Sequence, residues 1–216
     1  MMITNNPPER QIVAEMATAF PGPTDDEVLQ LHALLADRAE REGLLDVAYR
    51  TVDSPFGPLL LAASTEGLVR VAFEREDHDA VLAQLCSALS PRIMRSGRRT
   101  DDVARQLDEY FAGRRRHFDV AVDLRLVQGF RRAVITHLRE IGYGSTESYA
   151  AVARAIGNPA AVRAVGTACS RNPVPVIVPC HRVVRSDGTT GQYLGGIEMK
   201  AAMLAMEAAP LPDGGP

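Results

Sequence analysis

No stretch of the 216-residue chain approaches the ~20 consecutive apolar residues that a membrane-spanning helix needs. The N-terminal stretch also lacks a basic segment followed by an apolar one. A cytoplasmic protein with no membrane partner is therefore expected. Cysteine is scarce as well: Cys86, Cys169 and Cys180 are odd in number and form no CxxC pair, which argues against a disulfide framework and against a zinc finger or knuckle. His181 adjoins Cys180, but His32, His78, His117 and His137 are scattered at no ligand spacing, so neither a metal nor a cofactor is expected. A strong excess of charge is missing too, the formal net charge being -3. Its distribution is uneven, however. Residues 128–209 carry 9 Lys+Arg against 5 Asp+Glu, whereas residues 1–127 carry 15 against 21; only the C-terminal part suits a phosphate-bearing partner.

The pattern along the chain divides it into an N-terminal extension (1–46), an α+β domain (47–127), a mainly helical domain (128–209) and a short tail (210–216). In the extension, breaker-rich "NNPPER" and "FPGPTDDE" separate two short helical patterns. Thr24 is placed to cap the second, and Val28, Leu31, Leu34 and Leu35 make a stripe expected to pack. From Asp46, "DVAYRTVDSPFGPLLLAASTEGLVRVAFE" holds three runs of β-branched and aliphatic residues between turns, the pattern of an antiparallel meander. Helices are expected over 79–89 and from a Thr100 cap onward, and "HFDVAVDL" alternates like a strand. Arg114 to Arg116 form a charge run of the kind that is usually a solvated corner.

After Leu126 the period turns helical. "QGFRRAVITHLREIGYG" places Phe130, Val134, His137 and Leu138 near one face, with Gly142 available to stop the helix. "SYAAVARAIGNPAAVRAVGTACSRNP" then spells helix, turn, helix. Ser148 caps the first helix, Gly157 ends it, Asn158 caps the second and Pro159 takes its first position, leaving a turn of about three residues. Val162, Val165, Gly166 and Cys169 follow the spacing of a packed stripe, so Cys169 belongs to the core. The rest of that helix is small: Ala160, Ala161, Ala164, Thr167 and Ala168 surround one long side chain, Arg163. Such a helix can approach a narrow groove and push its arginine into a base stack; taken by itself, the segment reads more simply as an Ala-rich helix with an ordinary surface arginine.

"PVPVIVPCHRVV" runs an apolar segment into Cys180, His181 and Arg182. A cysteine in such company is most simply an inert small hydrophobe. Three features point to chemistry instead. Pro173, Pro175 and Pro179 make the segment rigid and irregular. A base and a cation, His181 and Arg182, stand beside the thiol, which burial alone would leave protonated. Finally, in the last helical pattern, "GIEMKAAMLAMEAA", Met203 and Leu204 place Glu207 on or beside the apolar face, where a carboxylate wants a partner such as His181. Nucleophile, base and orienter would then be complete.

These residues together resemble the O6-alkylguanine-DNA alkyltransferases, also called methylated-DNA–protein-cysteine methyltransferases. "NPVPVIVPCHRVV", preceded by "GNPAAVRAVG" and followed by "GQYLGG" and a helix ending in glutamate, carries the resemblance, which covers about residues 47–209. It implies a ribonuclease-H-like α/β domain followed by a winged-helix-like DNA-binding domain. Cys180 would be the alkyl acceptor, His181 its base through a bridging water, Glu207 the group holding that histidine, Asn172 a brace for the turn and Tyr149 a proton donor to the departing guanine. Arg163 would be the finger that fills the space of a flipped base, on a helix whose Ala161, Ala164 and Gly166 allow close approach to DNA. Val183, Tyr193, Leu194 and Lys200 would line the pocket, with Leu194 standing where many relatives carry serine. The partner implied is double-stranded DNA containing O6-alkylguanine or the related O4-alkylthymine, bound through the minor groove by a monomer that reacts once. A DNA-binding regulatory module with a structural or sensor cysteine, and a thiol hydrolase of small molecules, are the rival readings.

Overall fold

The computed structural model describes residues 22–209, which fall into two compact units dividing between Glu42 and Gly43. The first holds helix α1 (Asp25–Arg41). Thr24 Oγ1 accepts from the Glu27 N–H and the Glu27 carboxylate accepts from the Thr24 N–H, closing a capping box. The stripe expected to pack does not: Val28, Leu31, Leu34 and Leu35 are 48–65% exposed, and Ala36 and Ala39 are buried instead. The first helical pattern of the extension lies outside the described residues.

In the second unit, β1 (Val47–Val52), β2 (Leu59–Ser64) and β3 (Gly67–Phe73) form the expected antiparallel meander. A fourth strand, β4 (Ile93–Arg95), pairs parallel with β1 and completes the order β3-β2-β1-β4. Three residues of "IMR" were too short a run to stand out. β2 is buried along its whole length because the sheet is covered on both faces, which explains why "LLLAAS" is continuous rather than alternating. Leu60 and Ala62 pack with Val81 and Leu85 of α2 (His78–Ala88). Leu59 and Leu61 face the larger core with Val103, Leu107 and Tyr110 of α3 (Asp101–Phe111).

Thr100 takes the expected N-cap position of α3, its carbonyl accepting from the Ala104 N–H, but its hydroxyl donates to the Gly97 carbonyl and makes no capping bond to the helix. A second local expectation is corrected. "HFDVAVDL" forms no strand; it keeps one bridge, Leu68 with Val122. Gln106 captures the Asp119 N–H and C=O, and Asp123 accepts from Ser64 and pairs with Arg125. For Asp119 the Gln106 amide thereby supplies what a ladder would have supplied.

The larger core continues without a break into the helical part, through Val134, Ile135 and Leu138 of α4 (Gly129–Leu138), Val152 of α5 (Tyr149–Ala155) and Val165 and Cys169 of α6 (Val162–Cys169). α4 ends four residues before Gly142, at Leu138. Ser148 caps α5, accepting from the Ala151 N–H, and Gly157 follows that helix with φ 76. The second helix of the pair starts later than the sequence implied. Asn158 to Ala161 form a turn, closed by the Ala161 N–H on the Asn158 carbonyl, and Ala161 is the N-cap. The turn is consequently longer than three residues, and Val162 is exposed rather than in the stripe.

Strands β5 (Glu147–Ser148) and β6 (Val183–Val184) pair in parallel, tying the start of α5 to the segment just after Arg182. Helix α7 (Ile197–Ala208) closes the unit. No helix among the described residues is long and apolar enough to cross a membrane.

Candidate active site

Cys180, His181 and Arg182 form a single 3-10 turn, and all three are buried. The approach to it is constrained. The Val178 N–H donates to the Val174 carbonyl, and Val176 takes φ 73, a region that β-branched residues rarely occupy. Asn172 holds this turn from inside. Its Oδ1 accepts from the Val174 N–H (3.1 Å), and its Nδ2 donates to the Val178 carbonyl (2.8 Å) and to Cys180 Sγ (3.1 Å). Removal from water pushes the Cys180 thiol up to about 11, against the opposing pull of the Asn172 amide and the Lys200 charge. At neutral pH such a thiol stays protonated unless a base takes its proton.

Glu207, on α7, lies on the other side of His181. Its Oε1 is 2.9 Å from His181 Nε2, and it accepts from Tyr110 Oη (2.7 Å) and Arg182 Nη2 (2.9 Å). Its Oε2 accepts from Arg182 Nε (2.9 Å) and from the Gly144 N–H (3.2 Å). Burial alone would raise this carboxyl, but the hydrogen bonds from His181 and Arg182 overcome it and hold it at about 2. The group is therefore an anion, and an anion at Nε2 places the imidazole proton there. Nδ1 of His181 is left buried with no hydrogen-bond partner among the described residues. Burial also pushes the histidine below its ordinary value, keeping the ring neutral.

Around this chain stand the expected pocket residues. Lys200 Nζ donates to the Val183 carbonyl at 2.5 Å and lies 5.8 Å from the Tyr149 ring. The Tyr193 ring stands edge-on to His181 at 6.2 Å. Burial raises Tyr149 to about 12, so its hydroxyl keeps its proton. Leu194, packed against the core that holds Cys180 and Val183, also lines a cavity of about 340 Å³ with Val69, Arg131 and Pro173. On α6, Arg163 and Ala164 face solvent, Ala161 is half-buried at the cap, and Gly166 lies against the Tyr149 ring. Arg163 makes no ion pair among the described residues, where no group of three or more His, Cys, Asp or Glu side chains is placed to hold a metal.

Family models match both halves of the unit: the ribonuclease-like domain of 6-O-methylguanine DNA methyltransferase over residues 47–124, and its DNA-binding domain over 129–209. A Mycobacterium tuberculosis methylated-DNA–protein-cysteine methyltransferase is 39% identical over 166 residues, covering 77% of this chain and 95% of that one. The chain belongs to the methylated-DNA–protein-cysteine methyltransferase family. A Methanosarcina acetivorans member is 37% identical, covering 74% of this chain and 98% of its own. The crystal structure of Mycobacterium tuberculosis O6-methylguanine methyltransferase superposes with a TM-score of 0.68 at 38% identity, covering 78% of this chain and 96% of that one. Mycobacterium tuberculosis OGT in complex with DNA gives 0.65 at 38% identity, covering 74% and 92%. The α+β architecture, a ribonuclease-like domain followed by a DNA-binding domain, is that of the family.

Two residues take roles at the site that the sequence did not indicate. Arg182, expected beside the thiol as its cation, turns away and chelates Glu207, its Nη1 donating to the Ile141 carbonyl at 2.6 Å. Tyr110 reads in sequence as an ordinary core position of α3, and nothing local marks a contact with a carboxylate 97 residues later. Because Glu207 titrates lower in the folded chain than its usual 4.5, its contribution to stability is present above that value and is lost as pH falls toward about 2. Glu207→Gln leaves Arg182 buried without its counter-charge. It should cost about 3 kcal/mol at neutral pH, a deficit that shrinks between about pH 4.5 and 2 in denaturation titrations of the two proteins.

Proposed function

We propose that this protein repairs DNA by moving the alkyl group of O6-alkylguanine irreversibly onto its own Cys180, once per molecule. The observation that carries the reading is the order Cys180, His181, Glu207 in a family member: a buried thiol followed by an imidazole whose one nitrogen is tied to a carboxylate and whose other is free. His181 Nδ1 would take the thiol proton through a water, since side chains of consecutive residues rarely face one another directly. The thiolate then attacks the alkyl carbon, the carbon–O6 bond breaks, and its electron pair passes to the purine. Tyr149, kept protonated by burial, supplies the proton that the leaving guanine needs. Asn172 steadies the sulfur, and Lys200 holds the Val183 carbonyl at the pocket edge. The thioether formed is not hydrolysed, which makes the protein stoichiometric.

Delivery of the base falls to residues 128–209, which carry the surplus of positive charge. An alkylguanine within a duplex is out of reach of a buried sulfur, so the nucleotide must be extruded. The protein, acting as a monomer, would lay the small-residue face of α6 into the minor groove. Ala161, Ala164 and Gly166 permit the approach, and Arg163 fills the vacated space in the stack. Residues 47–127 would serve as the layer that supports the site.

Incubation with a duplex carrying O6-methylguanine should add one methylene to the intact mass, on Cys180, with none gained by Cys180→Ala and no turnover in excess substrate. An unmodified protein that still binds DNA would favour a regulatory module, and continued turnover a hydrolase. Arg163→Ala should slow repair in duplex DNA by about tenfold or more, the scale of the unstacking cost, and leave reaction with the free alkylated base unchanged; equal slowing would remove the finger role.

A further inference from the structure

Tyr110 is carried by α3, in the part of the chain matched by the ribonuclease-like family model, yet its hydroxyl is completely buried at the heart of the proposed active site. It donates to Glu207 Oε1 at 2.7 Å and lies 3.4 Å from His181 Nε2. The same carboxylate oxygen thus serves the tyrosine and the histidine. Aromatic packing fixes the approach, with the Tyr110 ring 5.1 Å from Phe118, 5.3 Å from Phe111 and 6.3 Å from Tyr143.

We propose that Tyr110 is a positioning residue for alkyl transfer: by sharing Glu207 Oε1 with His181, its hydroxyl tempers the carboxylate's pull on the imidazole and so keeps His181 a neutral base with Nδ1 open. The proposal rests on the reading of Cys180 as alkyl acceptor. Its physical basis is that each donor to a carboxylate disperses negative charge, and what is dispersed is no longer available to stabilise a proton on the histidine. The groups facing His181 are few. Glu207 and Lys200 come from α7, Tyr110 from α3, Tyr193 from the loop before α7, and Cys180 and Arg182 from its own turn. Among them Glu207 is the one anion, and Tyr110 the one neutral hydroxyl on it. Burial drives the phenol far above its ordinary value, so it remains a donor throughout the working pH range.

Tyr110→Phe removes the hydroxyl and keeps the ring in its aromatic setting. With less competition for Oε1, Glu207 should hold the imidazole proton pair more firmly. The ionisation of His181, followed by imidazole NMR in the unalkylated protein, should move to higher pH by about half a unit or more. Single-turnover transfer should fall about three- to tenfold at the acid end of the profile and converge on wild type toward alkaline pH. A structural role alone would lower the melting temperature and reduce the rate equally at every pH. An unmoved His181 titration, or a uniform rate loss, overturns the proposal even where wild type transfers normally. If wild type transfers nothing, the alkyl-acceptor reading fails, while the NMR titration still decides whether Tyr110 governs His181. Tyr110→Leu, which loses ring and hydroxyl together, should show the same titration shift with a larger loss of stability; wild-type titration in that variant also counts against the role.

Discussion

Glu207 is the point at which distant stretches of the chain meet. Its carboxylate is buried, and a lone ion so placed would cost several kcal/mol. Here it accepts from Tyr110 on α3, from His181 and Arg182 in the 3-10 turn and from the Gly144 N–H after α4. Three segments are fixed to α7 by one side chain, with the guanidinium of Arg182 supplying the compensating charge. Gly144 illustrates how tight the arrangement is. It has φ 71, and a Cβ there would stand 3.0 Å from the Glu207 carbonyl oxygen, so both backbone conformation and space call for glycine. Remove the carboxylate and the histidine loses its tautomer, the arginine its partner and α7 its anchor.

The thiol shows the opposite design. Cys180 is 2% exposed, and its burial keeps the thiol protonated, outweighing the Asn172 amide and the Lys200 charge that would favour the thiolate. A reactive cysteine that waits as a thiolate meets oxidants and stray electrophiles. One that waits as a protonated thiol, beside an unused imidazole nitrogen, is spent only when a substrate has entered and the proton has somewhere to go. That suits a sulfur with a single reaction to perform. Cys169, also buried and pushed further in the same direction, has no such neighbour and remains core.

Much of this was legible in the residues. Periodicity marked the meander, α2, α3, the helix pair and α7, because each of these buries one regular face. The adjacency of Cys180 and His181, and the placement of Glu207 beside Met203, were local enough to be read directly. The misreadings share a cause: they concern groups whose partners are remote or compete. β4 is three residues held by β1. "HFDVAVDL" gives up its ladder where the Gln106 amide takes both backbone groups of Asp119. The start of α6 gives way to a turn from Asn158 to Ala161. The role of Arg182 depends on a carboxylate 25 residues away, and Tyr110 on one 97 residues away. No spacing rule reaches that far; only the fold brings such pairs together.

At the centre of the account is a neutral imidazole, held by Glu207, that draws the proton from a thiol whose burial would otherwise keep it inert. The most direct measurement is the single-turnover rate of alkyl transfer from an O6-methylguanine duplex to His181→Ala and to wild type, followed upward from neutral pH with DNA affinity measured alongside. A deficit of about a hundredfold or more is expected at neutral pH, narrowing as the solution nears the thiol's own value of about 11, because hydroxide then does what the histidine did. A variant as fast as wild type at neutral pH, or one whose deficit is the same at every pH while DNA binding is intact, would contradict it.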